Sequence, residues 1–229
     1  MPLSVLYLHG FASSVRSSKA AFFADRLAAH GMPVVIPDFN EPAFEHLTIT
    51  RMLDQVREAL AALPAGPTAA IGSSLGAFVA VHAAAAQAGW DLRARIDRLI
   101  LLAPALDFGR IPFANLGDAA LARWKESGRL DVFHHAFGRT MPLHYGLYED
   151  AGRYDAARLS LDLPILIFHG TRDTVVDPQV PTRWSAGRPN VRITFLDDDH
   201  QLLASLETIW EATFRFLKID HTSADAFSG

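Results

Sequence analysis

Short apolar runs alternate with longer segments of helical periodicity along most of this chain. The runs are rich in Val, Ile and Leu, and the segments between them carry apolar residues three and four positions apart. This alternation predicts an α/β fold with a mostly parallel sheet of about six or seven strands, flanked by helices on both faces, because parallel neighbours need a crossover connection. The predicted strands lie at 5–8, 34–36, 68–72, 98–104, 164–170 and 191–196, and a final amphipathic helix is predicted over 202–217.

Length and composition narrow the classes of function. The chain has 229 residues, of which 50% are hydrophobic, and a formal net charge of -4. These values favour a single globular domain over 1–229 and argue against nucleic acid as the main partner. The chain has no cysteine, no positively charged signal-peptide start, and no apolar run near the roughly 18 residues of a membrane span. We expect a cytoplasmic protein, a monomer or homodimer, that binds a small molecule and does not insert into a membrane.

The segment 105–163 is much longer than an ordinary connection between two strands of such a sheet. It follows the fourth predicted strand, is rich in Phe, Tyr and His, and is interrupted by Gly and Pro. We expect it to form a small helical cap that is inserted into the single domain and lies over the sheet.

A serine flanked by glycines stands between the third strand and the helix after it. Gly72-Ser73-Ser74-Leu75-Gly76 matches G-x-S-x-G, the nucleophile elbow, in which a sharp strand-to-helix turn exposes the central serine. Only Ser74 has glycine both two positions before and two positions after it. The pentapeptide is also compatible with an ordinary turn followed by a helix N-cap, so its assignment depends on partners elsewhere in the chain.

Candidate partners follow the last two predicted strands. A serine hydroxyl needs a base to take its proton, and the base needs a carboxylate to hold it. Asp173 follows the fifth strand and His200 follows the sixth, so both are expected at the sheet edge where Ser74 stands. We predict catalytic roles for Ser74, Asp173 and His200, whose chain order is that of the α/β-hydrolase fold. Asp173 is preferred over four neighbouring acids, namely Asp177, Asp197, Asp198 and Asp199.

An oxyanion hole needs two backbone N–H groups that point at the substrate carbonyl. In this fold one comes from the residue after the nucleophile, here Leu75, and the other from the loop after the first strand. We assign the second to Phe11, because Gly10 lets the backbone approach closely. His9 is more typical of a packed strand-end residue, but it adjoins this loop. The candidate substrate-contacting residues are His9, Gly10, Phe108, Phe113 and Trp124, the last three from the predicted cap.

The sequence motifs do not support a metal site or a nucleotide-binding site. His134, His135 and His144 lack the spacing of a metal site on one helix face, and we expect them on the surface of the cap. No glycine loop continues into the GK[ST] of a phosphate-binding loop. We predict no metal and no cofactor.

At these residues the chain resembles the α/β-hydrolase superfamily. The segments YLHGFASSVRSSKA at 7–20 and IGSSLGAF at 71–78 resemble the YqiA-type bacterial esterases most closely. The resemblance implies a cofactor-independent serine hydrolase that cleaves carboxylic esters or thioesters through an acyl-enzyme. We expect small to medium acyl groups, because one modest cap can hardly enclose a long chain. Two alternatives stay open: a ligand-binding protein of the same fold without activity, and a hydrolase of other bonds, such as lactone or carbon–carbon bonds.

Overall fold

The computed structural model of the protein describes residues 3–32, 34–110 and 116–218. The strands of this part, in chain order, are β1 (Ser4–Leu8), β2 (Val34–Val35), β3 (Gly66–Ser73), β4 (Ala94–Leu102), β5 (Arg129–His134), β6 (Arg139–His144), β7 (Ile165–Gly170) and β8 (Val191–Leu196). Six of them form one sheet in the order β2-β1-β3-β4-β7-β8. Every neighbouring pair in this sheet is parallel, so the predicted α/β class and the six predicted strands are confirmed.

Helices connect these strands. The α-helices of the described part are α1 (Ser18–Ala29), α2 (Ile49–Ala62), α3 (Leu75–Ala86), α4 (Asp118–Ser127), α5 (Gly146–Ala151), α6 (Gln179–Ser185) and α7 (Leu206–Lys218). Helix α7 begins four residues later than the predicted start at 202. Leu202 has a φ of 55°, and Asp198 Oδ2 accepts a hydrogen bond from the Ser205 amide at 2.9 Å. Residues before 206 therefore form a loop rather than the first turn of the helix.

Strand β1 shows why helices lie on both faces of the sheet. All of its residues are buried, and residues 5–8 alternate between two apolar clusters with the two-residue period of a strand. Leu6 and Leu8 belong to one cluster, with buried residues of α2, α3 and α6. Val5 and Tyr7 belong to the other, with buried residues of α1 and α7. A strand buried on both faces needs a nearly continuous apolar sequence, which is the pattern that predicted it.

The segment between β4 and β7 differs from the predicted helical cap. It contains α4 and α5, but β5 and β6 between them form an antiparallel hairpin in which Leu130 pairs with Leu143 and Val132 with Met141. The prediction of a helical cap was therefore wrong, because the segment also contains this hairpin. The physical cause is the alternation in 129–134, where inward residues are separated by exposed ones, together with a turn at Gly138, whose φ is 63°. The division of the chain into one domain with an inserted cap stays a prediction.

The fold brings four loops to one edge of the sheet. Because the paired strands are parallel, the loops after β1, β3, β7 and β8 all leave at their carboxyl ends. Those loops carry the residues singled out by the sequence. Among the described residues, no helix has both the length and the apolar character needed to cross a membrane.

Candidate active site

Ser74 occupies a sharp turn between β3 and α3. Its backbone has φ 53° and ψ -114°, a conformation that a non-glycine residue adopts only when its surroundings enforce it. The Ser74 amide donates to the Leu102 carbonyl at 2.8 Å, and its own carbonyl accepts from the Ala77 amide at 3.0 Å. These bonds fix the turn from both sides, and the Ser74 side chain lines a cavity.

The two glycines of the motif are required because there is no room for a side chain at either position. Their backbone angles are not the reason. A Cβ atom at Gly72 would lie 2.6 Å from Ala77 Cα, and one at Gly76 would lie 2.0 Å from the Leu8 carbonyl oxygen. Both distances are far shorter than a van der Waals contact. Because the clashing atoms are backbone, neither can move aside, and the spacing of the motif follows from the packing of α3 against β1 and β3.

His200 joins Ser74 to Asp173. Its Nε2 atom lies 3.1 Å from Ser74 Oγ, and its Nδ1 atom lies 2.7 Å from Asp173 Oδ2. Because a carboxylate can only accept, the hydrogen sits on Nδ1, which leaves Nε2 to accept from the serine hydroxyl. The structure thus brings the three residues into one hydrogen-bonded line, and this line can move a proton away from Ser74.

Asp173 is held in place from several directions. Its Oδ1 atom accepts from the amides of Val175 at 2.8 Å and Val176 at 2.9 Å, and its Oδ2 atom lies 3.2 Å from His169 Nε2. Burial on its own would raise the pKa of this carboxyl, but the bonds from His169, His200 and Val176 outweigh it and hold the pKa well below its usual range. Asp173 is therefore a carboxylate, as the orientation of His200 requires.

The four competing acids are occupied elsewhere. Asp177 and Asp197 are exposed, at 59% and 84% of their side-chain surfaces. Asp198 accepts from the amides of Asp199 and Ser205, and Asp199 accepts from that of Gln201. Among these acids and Asp173, only Asp173 has a hydrogen bond with His200.

The loop after β1 passes directly beside Ser74. A Cβ at Gly10 would lie 3.2 Å from the Ser73 carbonyl oxygen and 3.3 Å from Ser74 Cβ, so this backbone approaches the serine as the sequence predicted. Gly10 and Phe11 line the cavity with Ser74 and His200. Leu75 is the first residue of α3, where N–H groups lack partners within the helix and the helix dipole favours negative charge.

The cavity beside Ser74 and His200 has a volume of about 900 Å³ and two chemically different walls. We call the first the apolar wall; it consists of Phe11, Phe133, Phe137, Val175 and Leu203. Four of these residues are substantially exposed, including Phe133 at 53% and Val175 at 66%. The second wall, which we call the serine segment, comprises residues 13–19 and includes four serines, Arg16 and Lys19.

Three candidate substrate-contacting residues lie away from this cavity. Trp124 is buried and donates from Nε1 to the Leu143 carbonyl at 3.0 Å, so it belongs to the core of the inserted segment. Phe108 packs against Phe78, with ring centroids 5.9 Å apart, and lines a separate small pocket. His9 is also buried, and its Nε2 accepts from the Phe39 amide at 3.0 Å.

Of the remaining two candidates, Gly10 lines the cavity, and Phe113 lies outside the described residues. The aromatic residues that do face the cavity are Phe133 and Phe137, at the tip of the β5–β6 hairpin. For Phe133, the period-two alternation of 129–134 was the signal that could have found it, whereas Phe137 follows that stretch.

Asn40 ties the hairpin to the loop after β1. Its Nδ2 donates to the Ser13 carbonyl at 2.9 Å, and its Oδ1 lies 2.8 Å from Nε2 of His134. The Ala136 amide also donates to the Ala12 carbonyl at 3.3 Å. His134 is fully buried, so its expected surface position was wrong. The sequence also gave no role to Asn40, His169 or Lys19.

No group of three or more metal-ligating side chains occurs within 3–32, 34–110 and 116–218. In this part of the chain the chemistry available at the site is that of the serine, the histidine and the carboxylate, together with backbone N–H groups and the two walls of the cavity.

Comparisons with known proteins identify the fold. A family model described as "Uncharacterised protein family (UPF0227)" matches residues 4–217. No curated protein matches the chain. Among solved structures, a protein of Agrobacterium vitis S4 has a TM-score of 0.83 at 21% identity, covering 95% of this chain and 88% of that chain.

Two further structures are similar over comparable lengths. Est1E from Butyrivibrio proteoclasticus, solved with ferulic acid bound, has a TM-score of 0.78 at 20% identity, covering 95% of this chain and 88% of its own. Alpha/beta hydrolase domain-containing protein 10 from mouse has a TM-score of 0.74 at 19% identity, covering 95% of this chain and 90% of its own. The expected α/β-hydrolase fold is confirmed.

Proposed function

The chain belongs to the UPF0227 family, and from this premise and its α/β-hydrolase fold we propose that it hydrolyses carboxylic esters or thioesters with Ser74 as nucleophile. The observation that carries the proposal is the line Ser74–His200–Asp173, with 3.1 Å and 2.7 Å between the bonded atoms. The resemblance of 7–20 and 71–78 to YqiA-type esterases agrees with it. Est1E, which binds ferulic acid, has the same fold.

Ser74, His200 and Asp173 each have a role in the proposed acylation step. As Ser74 Oγ attacks the carbonyl carbon, His200 Nε2 takes its proton, and the Asp173 carboxylate stabilises the imidazolium that forms. The carbonyl oxygen becomes an oxyanion, for which we propose the backbone N–H groups of Leu75 and Phe11 as donors. When the tetrahedral intermediate collapses, the bond to the leaving oxygen or sulfur breaks, and His200 gives its proton to the leaving alcohol or thiol.

Deacylation repeats these steps with water. His200 Nε2 removes a proton from a water molecule, whose oxygen attacks the acyl carbon, and the bond between that carbon and Ser74 Oγ breaks. The proton then returns to the serine oxygen, and the carboxylic acid leaves. The enzyme ends in its starting protonation state, and no cofactor takes part.

The apolar wall supports an acyl-binding role. Phe133 and Phe137 are 53% and 47% exposed, and apolar side chains around a cavity of this kind are typical of binding sites for apolar groups. We propose that the acyl chain lies against this wall and that short to medium chains are preferred. Hydrolysis of lactones or of carbon–carbon bonds would use the same three residues. Only assays with the corresponding substrates distinguish these reactions.

A substrate screen with matched serine variants tests the proposal. The wild type, Ser74→Ala and Ser73→Ala are assayed with p-nitrophenyl and coenzyme A esters of graded chain length. We expect Ser74→Ala to lower kcat by about 10⁴- to 10⁶-fold with the fold intact and Ser73→Ala to lose little. A wild type that binds esters without turnover would favour the ligand-binding alternative. A fluorophosphonate label on a residue other than Ser74 would refute the assignment.

A further inference from the structure

Lys19 has a mostly buried side chain and lines the cavity of the candidate active site. It stands in the first turn of α1, is only 8% exposed and lines the cavity that contains Ser74 and His200. In the described part of the chain, its ammonium has no hydrogen bond and no ion pair. Nζ of Lys19 is not among the fully buried polar atoms without a partner in the described part of the chain, so the ammonium is accessible from the cavity, where a ligand oxyanion would give it a hydrogen-bond partner.

The nearby carboxylates attract Lys19 without contacting it. Burial lowers the pKa of Lys19 to about 8, and the charges of Asp173, Asp199 and Asp198 oppose this shift, so the ammonium stays mostly protonated at pH 7. Each of these acids already accepts a hydrogen bond from another group. Asp38, which also lines the cavity, accepts from the Asn40 amide at 3.0 Å.

The rest of the serine segment has donors for the same ligand. Ser14 Oγ accepts from the Arg16 amide at 3.2 Å, and Ser17 Oγ accepts from the Ala20 amide at 3.3 Å. A hydroxyl that accepts in this way keeps its own hydrogen for donation. Arg16 is exposed, lines the cavity and has no ion pair among the described residues. Two cations and several hydroxyls therefore face one cavity.

We propose that the serine segment binds an anionic group of the substrate, a phosphate or a carboxylate, while the apolar wall holds its uncharged part. This rests on the proposed function, because it names the substrate class of the same site: esters or thioesters that carry a negative charge away from the scissile bond. Lys19 supplies a charge-assisted hydrogen bond to the anion, and Arg16 and the hydroxyls supply the others.

Two pairs of substrates distinguish a carboxylate from a phosphate as the recognised anion. The first pair is the p-nitrophenyl monoester of glutaric acid and p-nitrophenyl pentanoate, which differ by a terminal carboxylate in place of a methyl group. The second pair is butyryl-4′-phosphopantetheine and butyryl-pantetheine, which differ by one phosphate on the leaving group. The pair that shows the preference identifies the carboxylate or the phosphate as the recognised anion.

The variants are Lys19→Met, Arg16→Gln and, as a matched control, Lys125→Met at an exposed lysine on α4. We expect the wild type to prefer the charged member of at least one pair. Lys19→Met should lower kcat/KM for that member about 10- to 100-fold more than for its neutral partner, which is the range of one lost charge-assisted hydrogen bond. Lys125→Met should leave the ratio unchanged.

Four results are informative. Equal loss on both members of both pairs would overturn the inference, because Lys19 would then act on the reacting residues alone. If Lys19→Met fails to fold, as judged by circular dichroism, Arg16→Gln and competitive inhibition of pentanoate hydrolysis by inorganic phosphate decide the question. If the wild type cleaves none of the four substrates, the proposed function fails; Ser74-dependent cleavage with no charge preference defeats only the anion site.

Discussion

His169 Nε2 lies 3.2 Å from Asp173 Oδ2, and neither side chain is exposed to solvent. The same nitrogen lies 3.0 Å from the Val176 carbonyl oxygen, so it faces two acceptors and must carry the ring hydrogen. Nδ1 of His169 is buried without a hydrogen-bond partner in the described part of the chain. Asp173 is therefore contacted by two histidines, His169 and His200, both at Oδ2.

We expect His169 to position Asp173 for His200. His169→Phe keeps a ring of similar size but cannot donate, and it should lower kcat/KM about tenfold, the effect of losing one hydrogen bond to a charged group. His169→Gln, whose amide can donate, should retain more activity than His169→Phe. Steady-state kinetics on one p-nitrophenyl ester, with thermal melts of both variants, check this. Equal losses in both variants would mean that His169 only fills space.

Asp173→Asn should lower kcat by about 10⁴-fold, because an amide at this position no longer favours the His200 tautomer that accepts from Ser74. Asp177→Asn is the matched control, since its carboxylate is exposed and accepts from the Gln179 amide. Both variants are measured under the same conditions as the wild type. Loss of activity in Asp177→Asn with near-normal kcat in Asp173→Asn would reverse the assignment.

Asp173 should also make stability depend on pH in the acid range. Its folded-state pKa is below the value of about 3.9 expected in the unfolded chain. The stability it contributes is therefore fully present above the unfolded pKa and is lost as pH falls toward the folded pKa. We expect the difference in unfolding free energy between wild type and Asp173→Asn to narrow from about pH 5 downward. Urea titrations at several pH values measure it, and parallel curves would contradict the prediction.

Gly76→Ala should disrupt the contact between α3 and β1. The added methyl would lie 2.0 Å from the Leu8 carbonyl oxygen, and overpacking against backbone of this kind should cost about 3 kcal/mol of unfolding free energy or prevent folding. Gly89→Ala is the control, because nothing lies within 4 Å of the Cβ it would add. Denaturant unfolding measures the unfolding free energies of the two variants. Equal stability of the two would contradict the prediction.

Acyl-chain preference should depend on the hairpin tip. Each methylene buried against the apolar wall contributes about 0.8 kcal/mol, close to fourfold in kcat/KM, until the wall is covered. Phe133→Ala and Phe137→Ala should flatten this rise and change acetate hydrolysis little. Phe214→Ala, on α7 and outside the cavity lining, should leave the profile as in the wild type. If the dependence of kcat/KM on acyl-chain length were unchanged in both hairpin variants, the apolar wall would not bind the acyl chain.

The sheet and the three residues at its edge could be predicted because each depends on a fixed local spacing. Buried parallel strands require continuous apolar runs, and Gly72 and Gly76 are forced by the close approach of backbone to Ser74. Asp173 and His200 follow strands whose carboxyl ends must meet. The structure brings them together, while their catalytic roles, like the cytoplasmic location and the oligomeric state, stay predictions.

Contacts between distant segments could not be predicted in the same way. Aromatic composition shows that the inserted segment can bury side chains, but not that Trp124 packs inside it while Phe133 faces the cavity. In the sequence, Lys19 is only a lysine near the start of a predicted helix, and its burial becomes visible only in the fold. The burial of His134 depends on Asn40, which is 94 residues away in sequence.

The link through Asn40 has a consequence for exchanging parts between related proteins. Hairpin 129–144 provides Phe133 and Phe137, and hydrogen bonds connect it to the Ala12 and Ser13 carbonyls, the second of them through Asn40. A graft of the hairpin alone would separate it from its anchor and pull on the loop beside Ser74. The exchangeable unit is therefore discontinuous in the gene, and a chimera that exchanges the hairpin must keep His134 together with Asn40, whose side chain bonds to it.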